Sequence, residues 1–376
     1  MSAAPGRPKQ APAAAREGEG TPVGASAKVL DLAAGRDHSL VLREDSVLLG
    51  WGGDGTGRFP PPAGVCTAPD AAGAAVRIAS AMALRHVAAS AGSSLALDAR
   101  GTAYAWGANR AGLGGRLARI TQSEPRALAG LPALAQLSAS EFFTLALARD
   151  GGLYHWGLAP GAADARNTAP ARIAQVPATA LCCAGGAHAL LLDTTHHLWA
   201  WGANTAGQLG LGHLHGQSAP VRVPGLPKLA AVAAGASHSL AIDALGRVWA
   251  WGSNQHGQLG HAQVPYRAQP GRVPLPEAAR QVAAGQHVSY ALGRSGRLYA
   301  WGWNAKGQLG QGGTEALPGI RQVAQLPPLR LLAAGQGHVL ASDGLRVWAW
   351  GDNRNTQLGD TSPLHASPVL LDDSTA

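Results

Sequence analysis

Lysine, acidic residues and cysteine are all scarce in this chain. Only four of its 30 basic residues are lysines (Lys9, Lys28, Lys228 and Lys306), and it holds 22 acids, two methionines and three cysteines in 376 residues. The cysteines (Cys66, Cys182, Cys183) are odd in number and lack C-x-x-C spacing, which argues against a disulfide framework and a thiolate zinc site. No apolar run reaches the roughly 20 residues that a membrane-crossing helix needs. No apolar signal core lies between Met1 and Ala27. A cytoplasmic protein without membrane association is expected. There is no G-x-x-x-x-G-K-[ST] loop, no G-x-S-x-G elbow and no usefully spaced carboxylate pair, so no enzyme, catalytic residue, metal site or cofactor is expected. The net charge of +8 comes from arginine excess without a clustered basic stripe, which argues against nucleic acid as a partner.

What is present is repetition. WAWGANTAGQLG begins at Trp199, WAWGSNQHGQLG at Trp249, YAWGWNAKGQLG at Tyr299 and WAWGDNRNTQLG at Trp348. A worn copy, YAWGANRAGLGG, begins at Tyr104, and Trp156-Gly157 and Trp51-Gly52 are remnants. The seven Trp-Gly pairs recur at a period of about 50 residues, the signature of a stacked-repeat architecture.

In the fullest copy the chain reads as four short strands: one at residues 220–223, one at 229–234, one at 239–242 and one at 247–251. Gly225, Gly235 and Gly246 mark the turns between them. Four strands repeated seven times predict an all-β, seven-bladed propeller; a solenoid of the same units would need capped ends. The first copy has only a doubtful first strand around Pro22-Val23, and the chain ends in an orphan strand at residues 368–371. The C-terminal strand is therefore expected to complete the first blade, closing the ring and removing both exposed edges. Residues 1–27 read as a flexible tail and 28–376 as the propeller, a monomer. The paired aromatics on one strand face, Trp199/Trp201, Trp249/Trp251, Tyr299/Trp301 and Trp348/Trp350, read as packing between blades. Cys182 and Cys183 align with Val232 and Ala233 and read as small buried residues.

The internal copies separate frame from variation. Gly35, Gly185, Gly235, Gly285 and Gly335 recur at one strand end. His38, His188, His238 and His338 follow three residues later and read as hydrogen-bonding residues that pin the turn. Asn109, Asn204, Asn254, Asn304 and Asn353, with Gln208, Gln258, Gln308 and Gln357, read as loop-bracing amides. Between them the side chains change. The variable positions include Arg36, Asp37, Arg110, Gln255, His256, Gln286, Trp303, Lys306, Asp352 and Arg354. Meander topology puts both variable sets on one face of the ring, where they form a protein-binding surface or are unconstrained and solvated.

The G-x-x-H-S-L-A and W-A-W-G-x-N-x-x-G-Q-L-G motifs resemble the regulator of chromosome condensation (RCC1-like) repeat family over residues 28–371. The resemblance implies a seven-bladed propeller closed by a terminal strand. Founding members of that family exchange guanine nucleotide on a small nuclear GTPase while docked on chromatin, and another member inhibits an enzyme. Protein interaction without catalysis is the expected function here. The alternatives are guanine nucleotide exchange on a small GTPase, and chromatin docking or enzyme inhibition. No exchange residue maps onto the repeat motif. The partner expected is a protein of unknown identity, with a small GTPase among the candidates.

Overall fold

Blade five begins with a small-residue strand, Leu229–Ala234, that Ala233-Ala234-Gly235 ends. The next strand, His238–Asp243, is buried throughout, and the third, Val248–Ser253, carries the aromatics. The computed structural model describes residues 27–53, 73, 75–78, 82–108, 121–160, 166–260 and 264–371. The structure is all-β. Seven four-stranded antiparallel sheets occupy residues 29–78, 84–127, 134–172, 179–222, 229–273, 279–322 and 331–370, and are called blades one to seven. No helix among the described residues is long and apolar enough to cross a membrane. The expected tail lies outside the described residues except for Ala27.

The phase of the repeat differs from the sequence-based expectation. Residues 217–222 do not open blade five. They form the outer strand of blade four, where Trp199 pairs with Arg222 and Ala200 with Val221. The same shift corrects the expected ring closure. The C-terminal strand, Leu364–Leu370, pairs with Val347–Asp352 of its own blade (Trp348 with Leu370, Ala349 with Val369). Blade one needs no donated strand, because Val76–Ile78 already pairs with Leu48–Gly52. Pro22-Val23 lies outside the described residues.

The ring closes instead by packing and hydrogen bonds. Leu358 and Leu371 of blade seven share a buried cluster with Trp51, Val29 and Leu32 of blade one. Val29 N donates to Gly344 O at 2.9 Å, and Gln336 N donates to Gly35 O at 3.1 Å. The six other seams follow the same plan, each with an apolar cluster drawn from two adjacent blades.

The aromatic pairs divide their work. Trp251, Trp301 and Trp350 are fully buried at the seams. Each ring of this size removes about 150–250 Å² from water, or ~4–6 kcal/mol gross as an upper bound. Their indole N–H groups donate to Gln208 O, Gln258 O and Gln308 O of the preceding blade at 2.8–2.9 Å. The outer aromatics bond within their own blade. Trp199 Nε1 donates to Asp193 Oδ2 (2.9 Å) and Trp249 Nε1 to Asp243 Oδ2 (3.2 Å), and both aspartates sit in the hairpin turns. Cys182 is fully buried and Cys183 half-buried. Burial raises both thiols, Cys183 to about 11, so neither is a nucleophile.

The innermost strands line a central opening. Their main chains do not pair with one another in any sheet; polar side chains bridge them instead. Asp31 accepts from Val87 N, while His86 bonds both Asp31 and Leu137 O. Gln136 takes both Cys182 N and Cys182 O, and Gln281 donates to Leu332 O. These bonds satisfy backbone groups that the curvature of the ring leaves without strand partners.

Candidate protein-binding face

The loop that follows each Trp-Gly pair is built on one buried asparagine. In blade six Asn304 Oδ1 accepts from Leu309 N (2.9 Å), and its Nδ2 donates to Gly313 O (3.0 Å) and Glu315 O (2.8 Å). Gln308 Oε1 accepts from Lys306 N at 2.8 Å. Asn204, Asn254 and Asn353 repeat the first of these bonds with Leu209, Leu259 and Leu358. The amides therefore brace the loop as its sequence implies, and Asn109 lies outside the described residues.

The histidines do something other than pin their turns. The turn is closed by the backbone, with Gly335 N donating to His338 O at 2.9 Å. The side chain reaches the next blade instead: His188 to Ser239 Oγ, His238 to Ser289 Oγ, His338 to Ser39 Oγ and His38 to Ser94 Oγ, all at 2.9–3.0 Å. The glycine three residues earlier makes room for the ring. A Cβ on Gly185 would lie 2.6 Å from His188 Cε1, and one on Gly335 would lie 2.8 Å from His338 Cε1.

Both variable sets lie at one end of the sheets. Trp303 N donates to His287 O (3.0 Å), Asp352 N to Gly337 O (2.8 Å) and Ser253 N to Ser237 O (2.8 Å), so the hairpin turn and the loop after Trp-Gly meet in blades five, six and seven. On this face the side chains of blades five, six and seven join into one belt. The rings of His256 and His287 are 4.9 Å apart, and Trp303 lies 6.0 Å from the first and 6.1 Å from the second. Lys306 Nζ sits 5.9 Å from the centroid of Trp303 and 2.5 Å from Asp352 Oδ2. Arg354 grips the same carboxylate with two bonds, Nε to Oδ1 at 2.9 Å and Nη2 to Oδ2 at 2.8 Å.

Electrostatics follow from that packing. Burial of Asp352 disfavours its charge, but hydrogen bonds from Arg354 and Lys306 outweigh it and hold the carboxyl well below the usual carboxylate range. The pairing raises the Arg354 guanidinium. Burial, then the neighbouring His256, lowers His287. Asp352 thus fixes two cationic side chains whose outer parts remain in solvent.

Of the ten positions singled out in the sequence, this belt brings together His256, Trp303, Lys306, Asp352 and Arg354. Arg36 and Asp37 pair with each other at 3.3 Å beside the central opening, which Gln286 also lines. Gln255 is exposed beside His256, and Arg110 lies outside the described residues. Two contributors were not singled out. His287, not its neighbour Gln286, makes the ring contacts. Glu141, in a turn that has lost the Gly-x-x-His pattern, contacts Arg36 and Gln336. Among the described residues no group of three or more His, Cys, Asp or Glu is placed to hold a metal ion.

A family model described as the RCC1-like domain matches residues 67–375. Human probable E3 ubiquitin-protein ligase HERC6 is 34% identical over 135 residues, 35% of this chain and 13% of that protein, so this chain spans a small part of that relative's length. Human WBSCR16 superposes with a TM-score of 0.77 at 19% identity, covering 87% of this chain and 93% of the other. Prp20p from Saccharomyces cerevisiae, described with its binding to Gsp1p and histones, superposes with a TM-score of 0.72 at 21% identity, covering 81% of this chain and 80% of the other. At these identities the two structures speak for the fold alone. The repeat motifs, the seven blades and the match over most of the chain agree: this protein belongs to the RCC1-like domain family.

Proposed function

We propose that the protein is a non-catalytic protein-interaction propeller whose partner docks on the belt formed by blades five to seven. The observation that carries this reading is the continuous contact from His256 through His287, Trp303 and Lys306 to Asp352 and Arg354. Trp303 is half-buried and Arg354 exposed, and tryptophan and arginine are residue types that dominate binding energy at interfaces. Their loops are braced by buried amides, so little ordering is required when a partner arrives. Lys306 and Arg354 share the Asp352 carboxylate, and Arg36 faces both Asp37 and Glu141, so cations and carboxylates balance across the face. That pairing favours a protein surface over a phosphate backbone, which needs uncompensated cations.

The test is capture of a partner from the lysate of the source organism by the native chain and by a variant carrying Trp303→Ala, His256→Ala and Arg354→Ala. The variant is expected to melt as the native protein does and to lose the partner, with Trp303→Ala alone weakening binding by about 30-fold. Undiminished capture by the triple variant refutes the reading. The narrower alternative, guanine nucleotide exchange on a small GTPase, draws on the likeness to Prp20p, whose described binding includes Gsp1p. It requires faster release of labelled GDP from a small GTPase when the propeller is added, and an unchanged rate removes it.

A further inference from the structure

The turn of blade three that corresponds to Gly-x-x-His reads Ser140-Glu141-Phe142-Phe143. Its backbone is intact. Ser140 N donates to Phe143 O at 2.9 Å, and Ser140 Oγ accepts from Phe143 N at 3.3 Å. The departure from the repeat is therefore not a collapsed turn. It changes what the turn presents.

Glu141 reaches across the central opening. Gln336 Nε2 of blade seven donates to its Oε2 at 2.9 Å, and Arg36 Nη1 of blade one lies 3.9 Å from its Oε1. Blade three adjoins neither blade seven nor blade one around the ring, so this contact bridges the mouth. The mouth is a depression of about 390 Å³ lined by the turns of all seven blades. Phe142 is exposed and walls an apolar slot of about 320 Å³ with Leu158, Pro160, Ala187 and Ala203. Phe142, Gly186 and Ala187 line both spaces, so the slot opens into the mouth.

We propose that this mouth recognises a carboxylate on an extended segment of a protein partner, with an adjacent apolar side chain entering the slot, and that Glu141 is the internal occupant the partner displaces. This rests on reading the propeller as a protein-binding module. Arg36 and Gln336 already receive one carboxylate with a charged and an amide donor. The Arg36 side chain is 49% exposed and that of Glu141 34%. An ion pair that open to water contributes less than about fivefold to an equilibrium constant. Exchanging one carboxylate for another is thus nearly neutral in charge. The gain comes from apolar area entering a slot that Glu141 leaves unfilled, and the carboxylate supplies the selectivity.

Fluorescence anisotropy at 0.15 M salt with the labelled peptide Gly-Ser-Glu-Leu-Ser-Gly, and its Gln counterpart in place of Glu, tests the proposal. Glu141→Gln is expected to bind the Glu peptide about three- to fivefold more tightly than the native chain, because the internal competitor is gone, and to leave the Gln peptide unchanged. Adding Arg36→Gln is expected to erase that gain, and Phe142→Ser to weaken the Glu peptide. A gain that survives Arg36→Gln is a field effect, and one that extends equally to the Gln peptide is unselective relief of the slot; either overturns the proposal. So does absence of binding by Glu141→Gln at millimolar peptide. The Trp303/His256/Arg354 variant is expected to bind the peptide as the native chain does. Peptide failure with an intact loss of partner capture in that variant therefore rejects the mouth site while leaving the belt standing.

Discussion

His338 Nε2 lies 3.0 Å from Ser39 Oγ, joining residues 299 positions apart across the seam where blade seven meets blade one. The Ser39 hydroxyl donates its one proton to Gln357 O at 2.7 Å. It must therefore accept from the imidazole, which fixes the Nε2–H tautomer of His338. Ser239 and Ser289 donate in the same way to Gln208 O and Gln258 O, which fixes His188 and His238. In all three rings Nδ1 is then a bare acceptor, buried without a donor.

Protonation would place an N–H at that buried Nδ1. Burial accordingly lowers His188 to about 4, His238 to about 3 and His338 to about 4. In the unfolded chain these residues titrate near 6.5. Between pH 6.5 and 4 the unfolded state binds more protons, so folding stability falls as the pH falls through that window and is fully present above it. Each histidine contributes on the order of 1.4 kcal/mol per pH unit within it. Urea melts between pH 6.5 and 5, where carboxylates are still ionised, are expected to show this steep loss. His238→Val, which copies the Val288 of blade six, should reduce the slope. An unchanged slope in that variant would remove the histidine explanation.

The strength of the repeat explains both what the sequence revealed and what it hid. Seven Trp-Gly pairs fix the number of blades, and the amide and glycine positions fix the frame. A period carries no phase, however. Residues 217–222 alternate as well in one blade as in the next, and only the pairing of Trp199 with Arg222 assigns them. That ambiguity is the source of the expected strand exchange at the C-terminus. The shared face followed from meander topology, but the belt did not, because contact between Lys306 and Asp352 depends on neighbouring loops coming within 2.5 Å. Glu141 was hidden because Ser140-Glu141-Phe142-Phe143 reads as a damaged motif when judged against the other copies.

Thr356 stands where the loops of blades four, five and six have Gly207, Gly257 and Gly307. Those glycines have φ of 80°, 77° and 66°, and Thr356 adopts the same left-handed region at 57°. A β-branched residue there is strained by roughly 1–2 kcal/mol, part of which a glycine returns through its freer unfolded chain. Thr356→Gly is expected to stabilise the protein by about 0.5–1 kcal/mol, read from the urea midpoint. The reverse change separates strain from crowding. Gly257→Thr meets nothing within 4 Å and should cost only the strain, whereas a Cβ on Gly307 would lie 2.6 Å from Ala366 Cα. Gly307→Thr should therefore cost clearly more. Equal effects at the two glycines would show that backbone strain alone governs this loop position.

The seam between blades seven and one also differs from the others in how the chain runs. Successive blades are tied by a short stretch of chain, such as that from Arg222 to Leu229, which holds them at high effective concentration when their contacts break. No such stretch crosses the closing seam, which relies on its cluster around Trp51 and on the bonds of Ser39, His338, Val29 and Gln336. Ser39→Ala removes one hydroxyl that serves two bonds and leaves His338 Nε2–H buried, at a cost of about 1–3 kcal/mol. Ser239→Ala makes the same chemical change at the seam between blades four and five, where His188 is the partner. Native-state hydrogen exchange is expected to distinguish them. Ser39→Ala should accelerate amides of blades one and seven through local opening, with those of blade five nearly unaffected. Ser239→Ala should act through global unfolding alone, raising exchange only in the slowest amides. Equal local acceleration around both serines would mean that the linkers do not restrain the seams, and that the ring opens with the same ease at any blade.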